Sequence, residues 1–537
     1  MKNVGREDKI ATSNASSASA GPPTQRRQAI VIVHGQGKPR PMGTLRDFVK
    51  VLWTQDRSLK LADTAMMDPA GNPSWIVPDD KTGLLDLQRI SCPPLASGRI
   101  TDFFELYFAD IVGASPLQNF WRWLNRLLWI DPHEVSRPMR LGWVALWVLS
   151  LLALAAFWIM VLSVERLVHL DWIGVLLGED NRGALGAFAA GIGLFLVASI
   201  LARATRFQRL VTWPAMIVAA AAIAYIYREY PVFWAAAVFF FLASLGQRYL
   251  LPYFGAAASY LGAEAGTVGI RNRVRERGLS LLRALHDDPR YDRIVLVAHS
   301  LGAVLAYDLL HLLWWQVGPT AGNPPGEEAI AEFNAVDDFI AAHPEKVWPP
   351  ETVDAFQRLQ GVVCEALSRQ PSRPQPGDPG RHSPPGWKLS DFVSLGSPLA
   401  NAQFLIAEGK ADFAQLKHAW MLPCSPPNKS TRFNRMVNTI RGIEAAHHGA
   451  VFGAVRWTNL YDPFHPVAFL IGDPVGGPVA GLERFGRGIA DRAVRMRHAG
   501  WVPRFFTHNY YWTDTNRNPE APAEQVRLLR EAVGIGR

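Results

Sequence analysis

Arg293-Ile-Val-Leu-Val-Ala-His-Ser-Leu-Gly302 is the stretch that decides the fold. Residues 294–298 are apolar and mostly β-branched and read as a buried strand. His299-Ser300-Leu301-Gly302 reads as a sharp turn, and Ala303-Val-Leu-Ala-Tyr-Asp-Leu-Leu310 as the helix that follows it. A turn tight enough to present a serine hydroxyl needs small residues two before and two after that serine, because strand and helix approach closely there. Ala298 and Gly302 fill those positions, which makes Ser300 the candidate nucleophile. Alanine replaces the usual first glycine, so the strand–turn–helix setting carries the reading more than the pentapeptide does.

A second strand, Gln28-Ala-Ile-Val-Ile-Val33, runs into His34-Gly35-Gln36-Gly37. Glycine there lets backbone approach a substrate where a side chain would block it. Further strands are expected at Asp102-Phe-Phe-Glu-Leu-Tyr-Phe108, Asp391-Phe-Val-Ser-Leu395 and Ala454-Val-Arg-Trp-Thr-Asn-Leu-Tyr461, with helical stretches near 43–54 and 253–286. Strands alternating with helices predict an α/β fold, a mostly parallel sheet with helices on both faces. The serine turn then lies at the carboxyl edge of the sheet. Residues 318–388 read as an insertion with a Pro-rich end, either a cap or a surface elaboration.

A serine hydroxyl is a poor nucleophile until a histidine takes its proton, and that histidine needs an oriented carboxylate. His508, in Phe505-Phe-Thr-His-Asn-Tyr-Tyr-Trp512, is the last histidine and the candidate base; His447, His448, His465 and His498 precede it. Three acids are open. Asp462 directly follows the late strand, Asp473 lies in the Gly/Pro-rich loop Ile471-Gly-Asp-Pro-Val-Gly-Gly-Pro478, and Asp491 is a third choice.

The chain has 537 residues, 49% of them hydrophobic, enough for a large core. Three widely spaced cysteines, Cys92, Cys364 and Cys424, argue against a disulfide framework and fit a reducing compartment. The formal net charge of +8 comes without a nucleic-acid motif or a basic helix interleaved with aromatics, so no nucleic-acid partner is expected. Residues 1–27 are polar and Ser/Ala-rich, carry no secretion signal, and read as a disordered tail.

Four apolar runs, 141–163, 183–202, 210–227 and 231–247, contain no charged residue. A helix of about 20 apolar residues crosses a bilayer core, so these runs predict four transmembrane helices, with the lipid bilayer as a partner. Arginines 122, 126, 137 and 140 precede the first run, 203, 206 and 209 lie between the second and third, and 248, 271, 273, 275 and 277 follow the fourth. The positive-inside rule then puts both termini in the cytoplasm. An even number of crossings also keeps Gly35 and Ser300 on one side. The Trp- and Arg-rich segment 120–130 would suit a membrane interface or a core-facing helix.

On Ile30-Val-Ile-Val-His-Gly35, Ala298-His-Ser-Leu-Gly302, Val393-Ser-Leu-Gly-Ser-Pro398, Trp457-Thr-Asn-Leu-Tyr461 and His508, the chain resembles α/β-hydrolases of the lipase and GPI-inositol-deacylase-like kind. The resemblance implies a Ser-acid-His order, ester hydrolysis, and an oxyanion hole made by backbone N–H groups near Gly35-Gln36 and at Leu301. It favours Asp473 as the acid, since membrane-inserted relatives look similar in the Gly-Asp-Pro-Val-Gly-Gly loop. It implies no metal and no organic cofactor. The expected organisation is a tail (1–27), a first hydrolase part (28–136), a four-helix transmembrane unit (137–252; helices about 141–163, 183–202, 210–227 and 231–250) and a second hydrolase part (253–537). A tethered site suggests a lipid-like ester as substrate. The alternative expectation is a membrane scaffold or sensor that keeps the fold without turnover.

Overall fold

Eight strands form one sheet, which the elements around it cover on both faces. The computed structural model describes residues 26–35, 40–63, 70–112, 265–319, 324–369, 374–375, 378–382, 386–428, 436–438, 443–464, 471–498, 502–503, 507–514 and 521–536, with scattered positions between 128 and 261. In chain order the main elements are β1 (Arg27–Val33), α1 (Gly43–Val49, continued by a π-helical stretch Lys50–Thr54), β2 (Trp75–Pro78), β3 (Gln88–Ser91) and β4 (Ile100–Leu106). They continue with α2 (Ala265–Asp287), β5 (Tyr291–His299), α3 (Leu301–Val317), α4 (Glu327–Ala342), α5 (Pro350–Ser368), β6 (Leu389–Leu395), β7 (Arg456–Tyr461), β8 (Ala490–Ala493) and α6 (Glu524–Val533).

The sheet order is β8-β7-β6-β5-β1-β4-β3-β2. The six strands from β8 to β4 run parallel, and β3 and β2 add an antiparallel edge. Alternate residues of each central strand enter different cores, because side chains on a strand point to opposite faces. Ala29, Val31, Val33, Ile294, Leu296 and Ala298 pack with α2, α3 and α5. Ile30, Ile32, Val295, Val297, Val393 and Leu395 pack with α1 and α6. β1 and β5 are buried on both sides, which explains their unbroken apolar composition.

The chain lays down β1, crosses to the edge strand β2 and works back inward through β3 to β4 beside β1, then passes to β5 on the other flank of β1 and fills that side out to β8. The switch in direction falls between β1 and β5. In open parallel sheets the crevice beyond the carboxyl ends of such a pair is where ligands bind. Gly35 and Ser300 sit at those two ends.

Two expectations change. The insertion is part of the helical layer: α5 buries Phe356, Val363 and Leu367 in the core, and Gln360 Nε2 donates to the carbonyls of Phe452 (2.6 Å) and Val455 (2.8 Å). The four-helix transmembrane unit, and with it an integral membrane location, is corrected. Among the described residues no helix is long and apolar enough to cross a membrane. Apolar character alone suggested spans that the described helices do not have the length to make. The run 231–247 has three described positions, and the runs 183–202 and 210–227, with the tail 1–25, lie outside the described residues.

Candidate active site

Ser300 sits at the junction of β5 and α3 with φ 53° and ψ −129°. A serine held there costs about 1–3 kcal/mol, and such strain persists only where the surroundings over-determine it. They do so here. Ser300 N–H donates to the Leu395 carbonyl (3.0 Å), and a Cβ on Gly302 would come within 2.3 Å of the His34 carbonyl oxygen and 2.7 Å of that of Val33. Glycine is therefore obligatory at 302. Ala298, 1% exposed, pairs with Val33 and Ser394 inside the sheet, so its methyl is accommodated.

The structure brings Ser300, His508 and Asp473 together. His508, in a 3-10 turn Thr507–Asn509, places Nε2 2.8 Å from Ser300 Oγ and Nδ1 2.9 Å from Asp473 Oδ1. An ionised carboxylate can only accept, so His508 Nδ1 carries the proton and Nε2 presents a lone pair to the serine hydroxyl. Asp473 is fully buried. Burial pushes its carboxyl up, yet His508 and the donors around it hold it at about 2. Those donors are His508 Nδ1–H, Tyr511 O–H (2.6 Å to Oδ2), the Val475 N–H (2.8 Å to Oδ1) and the Gly476 N–H.

Two glycines make room for this pair. A Cβ on Gly396 (φ +52°) would stand 2.7 Å from Asp473 Oδ2 and 3.2 Å from His508 Nδ1, and one on Gly476 2.5 Å from Asp473 Oδ2. The loop carrying Asp473 is braced from β7. Trp457 Nε1 donates to Ser394 Oγ (2.9 Å), Ser394 Oγ donates to Asn459 Oδ1 (2.8 Å), and Asn459 Nδ2 donates to the Gly477 carbonyl (3.0 Å) and to Asp491 Oδ1 (2.8 Å).

The other candidate acids have different places. Asp491 takes up the N–H groups of Val479 and Ala480 and closes the same loop. Asp462 is buried one residue past β7; its carbonyl accepts the Asp473 N–H (3.3 Å) and its own N–H donates to Tyr511 Oη (3.1 Å). Burial, with the nearby charge of Asp473, raises the Asp462 carboxyl to about 6. The carboxylate that touches His508 is Asp473.

Gly35 faces the nucleophile: a Cβ there would meet His299 Nδ1 at 2.4 Å and Ser300 Cβ at 3.0 Å. His34 holds this corner. Its Nε2 accepts the Phe108 N–H (3.1 Å), so its Nδ1 carries the proton and donates to the Gly35 carbonyl (2.7 Å). Burial depresses His34 to about 4, and its ring stacks on Phe108 at 4.2 Å. Gln36 lies outside the described residues. Leu301 opens α3, so its N–H has no intrahelical partner and lies at the positive end of the helix dipole.

His447 and His448 lie away from this edge, beside Trp420 and His311, and His498 is in a short strand, Arg497–His498. His465 lies outside the described residues. Two site residues were not singled out from sequence. Tyr511 follows His508 by three positions, the spacing that returns a side chain to the same side of a turn. His299 reads in the sequence only as part of the serine turn. Its ring stands 4.8 Å from that of His508 and meets Trp512 edge-on at 4.7 Å. Neither protein-family models, nor curated proteins, nor solved structures give a match to this chain.

Proposed function

We propose that the protein is a serine hydrolase of α/β-hydrolase type that cleaves a carboxylic ester. The observation that carries the reading is the hydrogen-bonded series Ser300–His508–Asp473, closed at 2.8 and 2.9 Å at the carboxyl edge of a parallel sheet. The serine hydroxyl attacks the ester carbonyl carbon and passes its proton to His508 Nε2. Negative charge develops on the carbonyl oxygen, where the Leu301 N–H and a backbone N–H following Gly35 would receive it. His508 then protonates the departing alkoxide, leaving an acyl group on Ser300. A water molecule, deprotonated by His508, releases the acid and restores the serine. Asp473 stays ionised and stabilises the imidazolium formed in each half.

Every step runs on side chains and backbone amides, and the reading invokes no metal or organic cofactor. The expectation of a lipid-like acyl group depends on a bilayer tether and is withdrawn with it; the proposed substrate class is a carboxylic ester. A fluorophosphonate probe tests the reading. Labelling of the full chain and none of Ser300→Ala is the expected result. A folded wild-type chain that stays unlabelled would leave the non-catalytic scaffold and overturn the hydrolase.

A further inference from the structure

We infer that His299 is a positioning residue, a neutral imidazole wedged between the general base and the Gly35 corner that sets both against Ser300. The inference rests on the hydrolase reading and assigns a task to a residue that takes no part in the proton transfers.

The geometry is specific. His299 Nε2 lies 2.7 Å from the backbone carbonyl oxygen of His508. A carbonyl can only accept, so His299 Nε2 carries the proton and donates. Its Nδ1 is then the unprotonated nitrogen, and it faces Gly35 so closely that a Cβ there would stand 2.4 Å away. One ring therefore touches the two backbone segments that flank the nucleophile. The Trp512 edge contact and the neighbouring Tyr511 ring, at 6.1 Å, fix its plane. His299 belongs to β5, which pairs with β1 and β6, so the wedge is anchored to a central strand of the sheet.

The chemistry of the residue suits the task. His508 must take a proton during turnover, and a second cation beside it would oppose that. His299 is 3% exposed, and burial, followed by the facing His508, depresses it to about 3. It stays neutral and keeps its donor through the cycle. His508 sits in a three-residue 3-10 turn, whose hydrogen-bond geometry is poorer than that of an α-helix. A hydrogen bond to its main chain therefore decides where its imidazole stands relative to Ser300 Oγ, and misplacement of a catalytic group by about 1 Å costs about 100-fold in rate.

The test is the second-order rate constant for fluorophosphonate labelling of the full chain, measured across pH. His299→Phe retains an aromatic ring and loses the donor; it should label at least about 10-fold more slowly, with an altered pH profile. His299→Gln offers an N–H at the distance of Nε2 and should recover most of the rate. His299→Met serves as a second donor-less chain should the phenylalanine variant fail to fold. A phenylalanine or methionine variant that labels at the wild-type rate overturns the inference and leaves the hydrolase standing. So does a glutamine variant as slow as the donor-less ones. A folded wild type that stays unlabelled at Ser300 overturns both.

Discussion

The two ends of the central strands handle buried charge in opposite ways. At the amino edge, carboxylates are matched by arginines. Asp391 lies against Arg293 (2.7 Å) and Arg456 (2.8 Å), and although burial pushes its carboxyl up, the two guanidiniums hold it at about 2. Asp102 takes Arg27 at 3.0 Å and the Tyr291 hydroxyl at 2.6 Å, and Asp288 takes Arg290 at 2.6 Å and Lys81 at 3.1 Å. At the carboxyl edge the buried ionisable groups face one another and neutral donors. Burial lowers His34 and His299 to about 4 and 3, and raises Asp462 and Glu105 to about 6 and 7. One edge is closed by ion pairs. The other keeps groups whose protonation responds to their surroundings, the arrangement expected where proton transfer takes place.

The largest expected effect falls at the reactive edge. Asp473→Asn keeps the shape of the acid but removes the charge that selects the His508 tautomer and stabilises its protonated form. Labelling of Ser300 should slow by about 10⁴-fold, the scale found when an acid of this kind is made neutral. That corresponds to about 5 kcal/mol of barrier. Asp462→Asn should stay within about 10-fold of wild type in the same assay, since its carboxylate makes no contact with His508. Reversed rates would move the acid to Asp462 and undo the contrast.

The amino edge predicts loss of stability without loss of chemistry. Arg293 also donates to Gln28 Oε1 (2.9 Å) and to the carbonyls of Val533 (3.0 Å) and Gly534 (2.8 Å), so it ties α6 to the sheet. Arg293→Ala leaves a buried carboxylate short of a partner and those carbonyls without their donor. A loss of about 3–5 kcal/mol is expected, read as a lowered denaturation midpoint, with labelling per folded molecule unchanged. Labelling that fell in proportion to neither stability nor folded fraction would tie this edge to the reaction.

Tyr511→Phe probes the boundary between the two styles of pairing. It removes the hydroxyl that donates to Asp473 Oδ2. Losing a donor to the charged form raises an acid's pKa, so the acidic limb of the labelling profile should move to higher pH. A bond to an ionised group is worth about 1.5–3 kcal/mol, and a fall of about 10-fold in labelling is the corresponding expectation. An unmoved profile would show that the Val475 and Gly476 N–H groups suffice.

Sequence and structure part company at identifiable places. Strands β1 and β5 and the turn between β5 and α3 were legible because buried parallel strands leave unbroken apolar runs and the turn demands glycine at 302. His508 was legible as the last histidine in an aromatic run. The residues alone left Asp462 and Asp473 open, because a short loop can return either acid to the same edge, and only the resemblance favoured Asp473; in three dimensions Gly396 and Gly476 lie against Asp473. His299 and Tyr511 act through a backbone carbonyl and a second carboxylate oxygen, contacts that leave no pattern along the chain. The apolar runs between residues 141 and 247 carried a membrane reading that the described helices do not support.

The smallest expected effect is also the most direct measure of the reactive edge. Asp462 ionises at about 6 in the fold and near 3.9 in an unfolded chain. Between those values the folded chain holds a proton that the unfolded chain has lost. Stability from this group is complete below about pH 4 and is lost as pH rises through 6. Asp462→Asn should therefore leave the denaturation midpoint unchanged near pH 4 and raise stability by about 1–2 kcal/mol at pH 8, a figure reduced for solvent screening. Equal differences at both pH values would remove the proton linkage. Part of the rise in Asp462 comes from the charge of Asp473, so the gain should shrink when both acids are changed to asparagine. That non-additivity, read in a double-mutant cycle, would show the two carboxyl groups acting on each other across the reactive edge, as Asp391 does with its arginines at the other.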